Sequence, residues 1–164
     1  MRLATLFAAG SIAFAGLVTS AVAEEPPPLA ASGPISLMFV QQAASMKFDG
    51  KTLTLEGVPP AAVFFSDRPE RLTGHLTQAQ FVELWNDSQK DSFEKDPPNA
   101  AISMVSKEQK EPVVVELKRA SLSGDSLAFE VEVLEGELPA SAGAVAMFVD
   151  PWVYRPGWRW GGYG

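Results

Sequence analysis

The sequence predicts a mainly β, antiparallel fold: a sandwich or open barrel of about eight strands with one short α-helix. Three observations lead there. Short apolar or alternating runs recur between Ile35 and Asp150, separated by Gly, Pro and Asp turn signals. Apolar residues take helical spacing in one stretch, just after Thr77. The order of elements (hairpin, strand, helix, then strands) lacks the regular strand–helix alternation of a doubly wound parallel sheet. No repeat period is visible.

Ile35 to Val40 is a mostly apolar run suited to a buried strand. Met46-Lys47-Phe48-Asp49-Gly50-Lys51-Thr52-Leu53-Thr54-Leu55 alternates on both sides of Asp-Gly, a dipeptide that tolerates the positive φ of a two-residue type I′ turn. In that register Phe48 pairs with Lys51 and Met46 with Leu53, and Met46, Phe48, Leu53 and Leu55 share one face. Ala61 to Phe65 reads as a core strand entered from Pro59-Pro60. Thr77 and Gln80 have capping-box spacing, and Leu76 with Phe81 fits a hydrophobic staple. Phe81, Leu84 and Trp85 then form an apolar stripe that ends near Asn86-Asp87. Asn99 to Ser106 reads as a further strand. Val113 to Leu117 and Ser126 to Leu134 form a long pair joined through Gly124-Asp125, and Ala144 to Val149 is the last strand.

The ends and the charge bound the function. Residues 1–23 have the marks of an export signal: Arg2, an apolar stretch from Leu3 to Val18, and the small residues Ala21-Val22-Ala23. Cleavage near Ala23 places the chain in a periplasm or outside the cell, with no transmembrane segment remaining. Residues 24–34 form a Pro- and Ala-rich leader, 35–150 a single β-rich domain, and 151–164 a tail rich in aromatic residues and glycine. After cleavage 12 basic residues face 20 acidic ones, a net charge near −8, which repels nucleic-acid phosphates. The absence of cysteine excludes disulfides, thiolate metal sites and a Cys nucleophile.

Chemistry concentrates between Val63 and Ala100, which hold the single histidine and two of the six arginines. Ser66, Asp67 and His75 supply the residue types of a nucleophile, orienter and base, with Ser92 as another possible nucleophile. No Gly-x-Ser-x-Gly elbow accompanies them. No pair of ligands shows metal-site spacing, so neither metal nor cofactor is expected. The scaffold reading pairs Asp67 with Arg68 or Arg71 in a buried or half-buried network that holds a long crossover, with Gly74 supplying an unusual φ and His75 with Thr77 closing onto the helix start. Fixed arginines in such a network can also receive a carboxylate ligand. Glu116, Glu130, Glu132, Glu135 and Glu137 read as a solvated acidic face.

Phe64-Phe65-Ser66-Asp67-Arg68-Pro69-x-Arg71-x-x-Gly74-His75, with Asp91-Ser92-Phe93 and Asp96-Pro97-Pro98-Asn99-Ala100, resembles the pattern of a family of uncharacterised exported bacterial proteins. The resemblance covers roughly Ile35 to Asp150. It implies an exported chain and brings no activity with it.

The sequence therefore predicts an exported, non-catalytic binding or interaction module whose ligand is a protein, a glycan or a small molecule. Its binding candidates are Asp67, Arg68, Arg71 and His75, and the tail aromatics Trp152, Tyr154, Trp158 and Trp160. The alternatives are a small periplasmic hydrolase using Ser66, Asp67 and His75, and a glycan or cell-wall binder working through the tail.

Overall fold

Ten strands and one helix make up the computed structural model, which describes residues 34–68, 71–86, 92–105 and 111–154. In chain order the elements are β1 (Ile35–Ala43), β2 (Ser45–Phe48), β3 (Thr52–Glu56), β4 (Ala61–Ser66), β5 (Leu72–Thr77), α1 (Gln78–Asn86), β6 (Asn99–Met104), β7 (Val113–Ser123), β8 (Ser126–Glu135), β9 (Ser141–Ala142) and β10 (Val145–Tyr154). All ten strands belong to one antiparallel sheet, in the order β5-β4-β1-β10-β6-β7-β8-β3-β2-β9. The sheet does not close. The expected mainly β fold with one short helix is therefore present, as a single sheet. Two strands exceed the expected eight: β5, which lies in the segment read as a crossover, and the two-residue β9.

Alternation produces the core. Ile35, Leu37, Phe39, Met46, Leu53, Leu55, Phe64, Ile102, Val115, Leu117, Leu127, Phe129, Met147 and Val149 project from one face of the sheet into a single buried cluster. The helix packs on that same inner face. Phe81 lies against Phe39 of β1 (ring centroids 5.5 Å apart), and Trp85 against Phe129 of β8 (5.5 Å). Phe64, Phe39, Phe81, Trp85 and Phe129 thus form a chain of ring contacts from β4 to β8. Four strands separate these two in the sheet, so the sheet must curl around the helix for the chain to span it. The indole N–H of Trp85 donates to the Leu117 carbonyl (3.0 Å), which satisfies the ring's polar edge in the core.

The helix starts as its capping box predicts. Thr77 Oγ1 accepts the Gln80 backbone N–H (3.2 Å), and Gln80 Oε1 accepts the Thr77 N–H (3.0 Å). After the helix, Phe93 donates its N–H to the Leu84 carbonyl and places its ring 4.7 Å from Trp85. The Asp96-Pro97-Pro98-Asn99 segment delivers the chain into β6, where the Pro98 carbonyl accepts the N–H of Leu117.

Two turns behave differently from each other. At Gly124-Asp125 only Gly124 takes positive φ (62°), the requirement at the first central position of a type II′ turn. At the β2–β3 hairpin the expected register is off by two residues: Phe48 pairs with Leu53 and Met46 with Leu55. The Asp49 carboxylate causes the shift by accepting the N–H groups of Thr52 (2.7 Å) and Lys51 (2.9 Å), which holds a longer loop with Gly50 at φ 98°. These bonds, from Thr52 and then Lys51, hold the Asp49 carboxyl below its ordinary pKa. Because the slip is even, the four apolar side chains still share one face.

β10 runs past Asp150 and includes the first four residues of the expected tail. Between Phe39↔Val149 and Leu37↔Trp152 the strand holds one residue more than β1, a bulge at Asp150-Pro151. Proline is tolerated there because a bulge interrupts the ladder and the pairing with β6 has already ended at Val149. The bulge also changes phase: Val145, Met147 and Val149 face the core, whereas Val153 is exposed.

Candidate functional site

Residues 67–71 join β4 and β5, so the polar segment is the tip of a hairpin and not a long crossover. Asp67 pairs with Arg71 (Nε to Oδ1, 3.3 Å) and with Arg68 (Nε to Oδ2, 3.6 Å). The Asp67, Arg68 and Arg71 side chains are 60%, 91% and 88% exposed. This corrects the expected half-buried network, since exposed pairs contribute only about 0–1 kcal/mol. His75 stands apart from the three. It lies within β5, directly opposite Val63, and is exposed.

The hydrolase constellation is not assembled. Ser66 is opposite Leu72 and His75 opposite Val63, three positions apart along the hairpin. An odd separation puts the two on opposite faces of the sheet, in addition to about 10 Å along the strand. Ser66 is buried, and its hydroxyl donates to the Arg68 carbonyl (3.2 Å). Ser92 is buried too, at the turn that leads Phe93 into the core. Neither hydroxyl is presented to solvent beside the imidazole.

Gly74 has an ordinary φ; its role is steric. It lies opposite Phe64, whose ring covers it so closely that a Cβ there would fall 2.4 Å from Phe64 Cζ. No local sequence signal marks this contact. Nor does one mark a buried amide pair that ties the helix start to β1. Gln78 Nε2 donates to Gln41 Oε1 (3.0 Å) and to the Pro59 carbonyl (2.8 Å).

Trp152 and Tyr154 occupy β10 at register positions opposite Leu37 and Ile35. They are thus part of the sheet's backbone ladder, while Trp158 and Trp160 lie outside the described residues. The acidic face is partly neutralised by lysines. Lys51 pairs with Glu130 (3.2 Å), and Lys118 bonds Glu132 and approaches Glu116 (3.8 Å). The Lys118–Glu132 bond raises the lysine pKa and lowers the carboxyl pKa. Among the described residues no group of three or more His, Asp or Glu side chains is placed to hold a metal ion.

The register reveals a feature on the outer face that no motif marked. His75 pairs with Val63, Val63 with Val40, Val40 with Phe148, Phe148 with Ala101, Ala101 with Val114, and Val114 with Glu135. Directly opposed residues point to the same side. The outer face therefore carries a transverse row of five apolar residues on five adjacent strands, bounded by His75 and Glu135. Met38 and Phe65, themselves paired, extend it by a second row on β1 and β4. Val63, Phe148 and Val153 are 40%, 48% and 39% exposed, a costly arrangement for three large apolar side chains on one face.

The chain matches no protein-family model, no curated protein and no solved structure.

Proposed function

We propose that this chain is an exported, non-catalytic interaction module and that its working surface is the outer row centred on Val40 and Phe148. The observation behind this reading is the register itself: five apolar residues align across β4, β1, β10, β6 and β7 on the face away from the helix. A partner that lays an apolar surface across those strands removes this row from water at roughly 25 cal/mol per Å². The separation of Ser66 from His75 supports a binding role over hydrolysis. The signal-like residues 1–23 and the resemblance to exported bacterial proteins support the envelope or secretome as its compartment.

A photoreactive side chain placed at position 148, with one at position 132 as control, tests the reading in the cell envelope. Cross-linking to one defined partner from position 148, absent from 132 and lost on adding Val63→Ser, is the expected result. Equal yields at both positions, or none at 148, would refute it.

A further inference from the structure

Charge is distributed unevenly around the outer row. β5, β4, β1, β10 and β6 contain no lysine or arginine, and their one acidic residue is Asp150. Asp150 follows the inward-facing Val149, two positions on from Phe148, and is exposed. At its β7–β8 end the row runs into carboxylates. Glu135 lies directly opposite Val114, and Glu116, two positions along β7 from Val114, lies opposite Glu132. The first cation along β7 from the row is Lys118, already bonded to Glu132, and Arg119 follows opposite Glu130. The β4–β5 tip at the other end is balanced by sequence, with Asp67 and Glu70 against Arg68 and Arg71. The apolar row is therefore acidic along one border and has no cation of its own.

Dimensions and charge together restrict the occupant. Five strands about 4.8 Å apart span about 19 Å, and with the second row on two of them the apolar patch covers roughly 200 Å². A stable interface between folded proteins takes about 800 Å² per partner, so this patch suits a short segment. A second copy would also bring its own carboxylates, and the mature chain carries a net charge near −8. The same field disfavours an anionic lipid surface. A wholly apolar segment would strip water from Glu135, Glu116 and Asp150 and return nothing to them. Lysine or arginine beside the apolar residues pairs those carboxylates instead. From β4 to β8 the distance is about 24 Å, the reach of seven or eight extended residues at about 3.3 Å each.

We infer that the outer row receives a short basic, apolar segment of another protein. Its apolar side chains cover Val63, Val40 and Phe148, and its lysine or arginine side chains meet Glu135, Glu116 and Asp150. Attraction to the acidic border draws the segment onto the row and fixes its direction, basic end toward β7 and β8. This rests on the outer row being the working surface and adds the chemistry of what occupies it.

The test selects from a phage-displayed library of random peptides of about eight residues. The baits are the mature chain and a Phe148→Ser chain that keeps its circular dichroism. Peptides retained by the parent and not by Phe148→Ser should be rich in lysine or arginine beside apolar residues. One such peptide, added to the mature chain, should shift the NMR signals of Val40, Val63 and Ala101 and leave those of Phe81 and Phe129 in place. Glu135→Gln and Asp150→Asn together should weaken its binding about tenfold and flatten the salt dependence. Selected peptides without a basic excess, an unchanged affinity in the double variant, or shifts confined to other strands would overturn the inference. So would dimerisation of the mature chain that Phe148→Ser abolishes, which assigns the row to a second copy. Partner cross-linking at position 148 distinguishes the two proposals. If a partner cross-links there and the selected peptides show no basic excess, only the basic segment fails; if basic, apolar peptides bind the row but no partner cross-links, only the envelope reading fails.

Discussion

Two rows of residues on the same strands, one step out of phase, meet different surroundings. The inner row, Gly74, Phe64, Phe39, Val149, Ala100 and Val115, lies beneath the helix and the Phe93 turn. The outer row, His75, Val63, Val40, Phe148, Ala101 and Val114, is nearly as apolar, yet Val63 and Phe148 remain substantially exposed. Strands buried on one side alternate apolar and polar residues, whereas strands buried on both sides are continuously apolar. The runs Leu37–Val40 of β1, Ala61–Phe65 of β4 and Val145–Val149 of β10 are written in the second manner and covered in the first. The apolar composition of these runs exceeds what the core alone requires, and the excess is the surface on which the proposed interaction rests.

The largest expected effect probes the inner side. Trp85→Ala removes a ring that touches Phe81, Phe93 and Phe129 together with its bond to Leu117, and should lower unfolding free energy by about 3–5 kcal/mol in urea titration. Phe148→Ala on the outer side should stay within about 1 kcal/mol. Comparable losses would erase the distinction between the rows. Gly74→Ala comes next, at about 1–3 kcal/mol, because the added methyl must displace the Phe64 ring. The penalty should shrink in a Phe64→Leu background, a coupling that a double-mutant cycle measures. Thr77→Ala removes the helix cap and should cost about 1 kcal/mol, read as a shift in urea midpoint at constant slope.

Smaller effects belong to the surface. Asp67→Ala and Arg71→Ala should each change stability by less than about 0.5 kcal/mol, and salt should diminish even that. A larger change would mean that the hairpin tip packs against something. Asp49 supplies a pH signature. Its folded-state pKa lies below the ordinary value of 3.8, so its contribution is complete above that pH and is lost as pH falls through the folded value. Asp49→Asn should therefore narrow its stability gap from the parent as the solution is acidified below pH 4, and NMR titration of the carboxyl should give a midpoint under 3.8.

Much of the fold was legible because local chemistry determined it. The Thr77–Gln80 box, the Phe81-Leu84-Trp85 stripe and the Gly124 turn each rest on residues a few positions apart. The β2–β3 register was missed because the Asp49 side chain competes with the turn backbone, a contest that a dipeptide rule does not include. β5 was missed because Leu72-Thr73-Gly74-His75-Leu76-Thr77 has glycine where a strand normally carries bulk. Its missing side chain is replaced by the Phe64 ring from the neighbouring strand. The outer row was invisible for a similar reason. No residue in it stands out locally, and only pairing across five strands aligns Val63, Val40, Phe148, Ala101 and Val114. Conversely, Ser66 and His75 are close in sequence, which suggested a shared site until the odd spacing of the hairpin separated them.

The order of strands begins at β5 and stops at β9, and those two ends determine how the folded protein can be copied by its neighbours. Ordered aggregation from a native sheet needs a long, flat outermost strand on which another chain can template its own backbone. β9 offers two residues for that purpose, and β5 six, interrupted by Gly74 and followed at once by the capped helix. The described sheet thereby offers little edge on which to polymerise, without any disulfide to lock it. The same glycine that admits the Phe64 ring makes β5 a poor seed for fibrils.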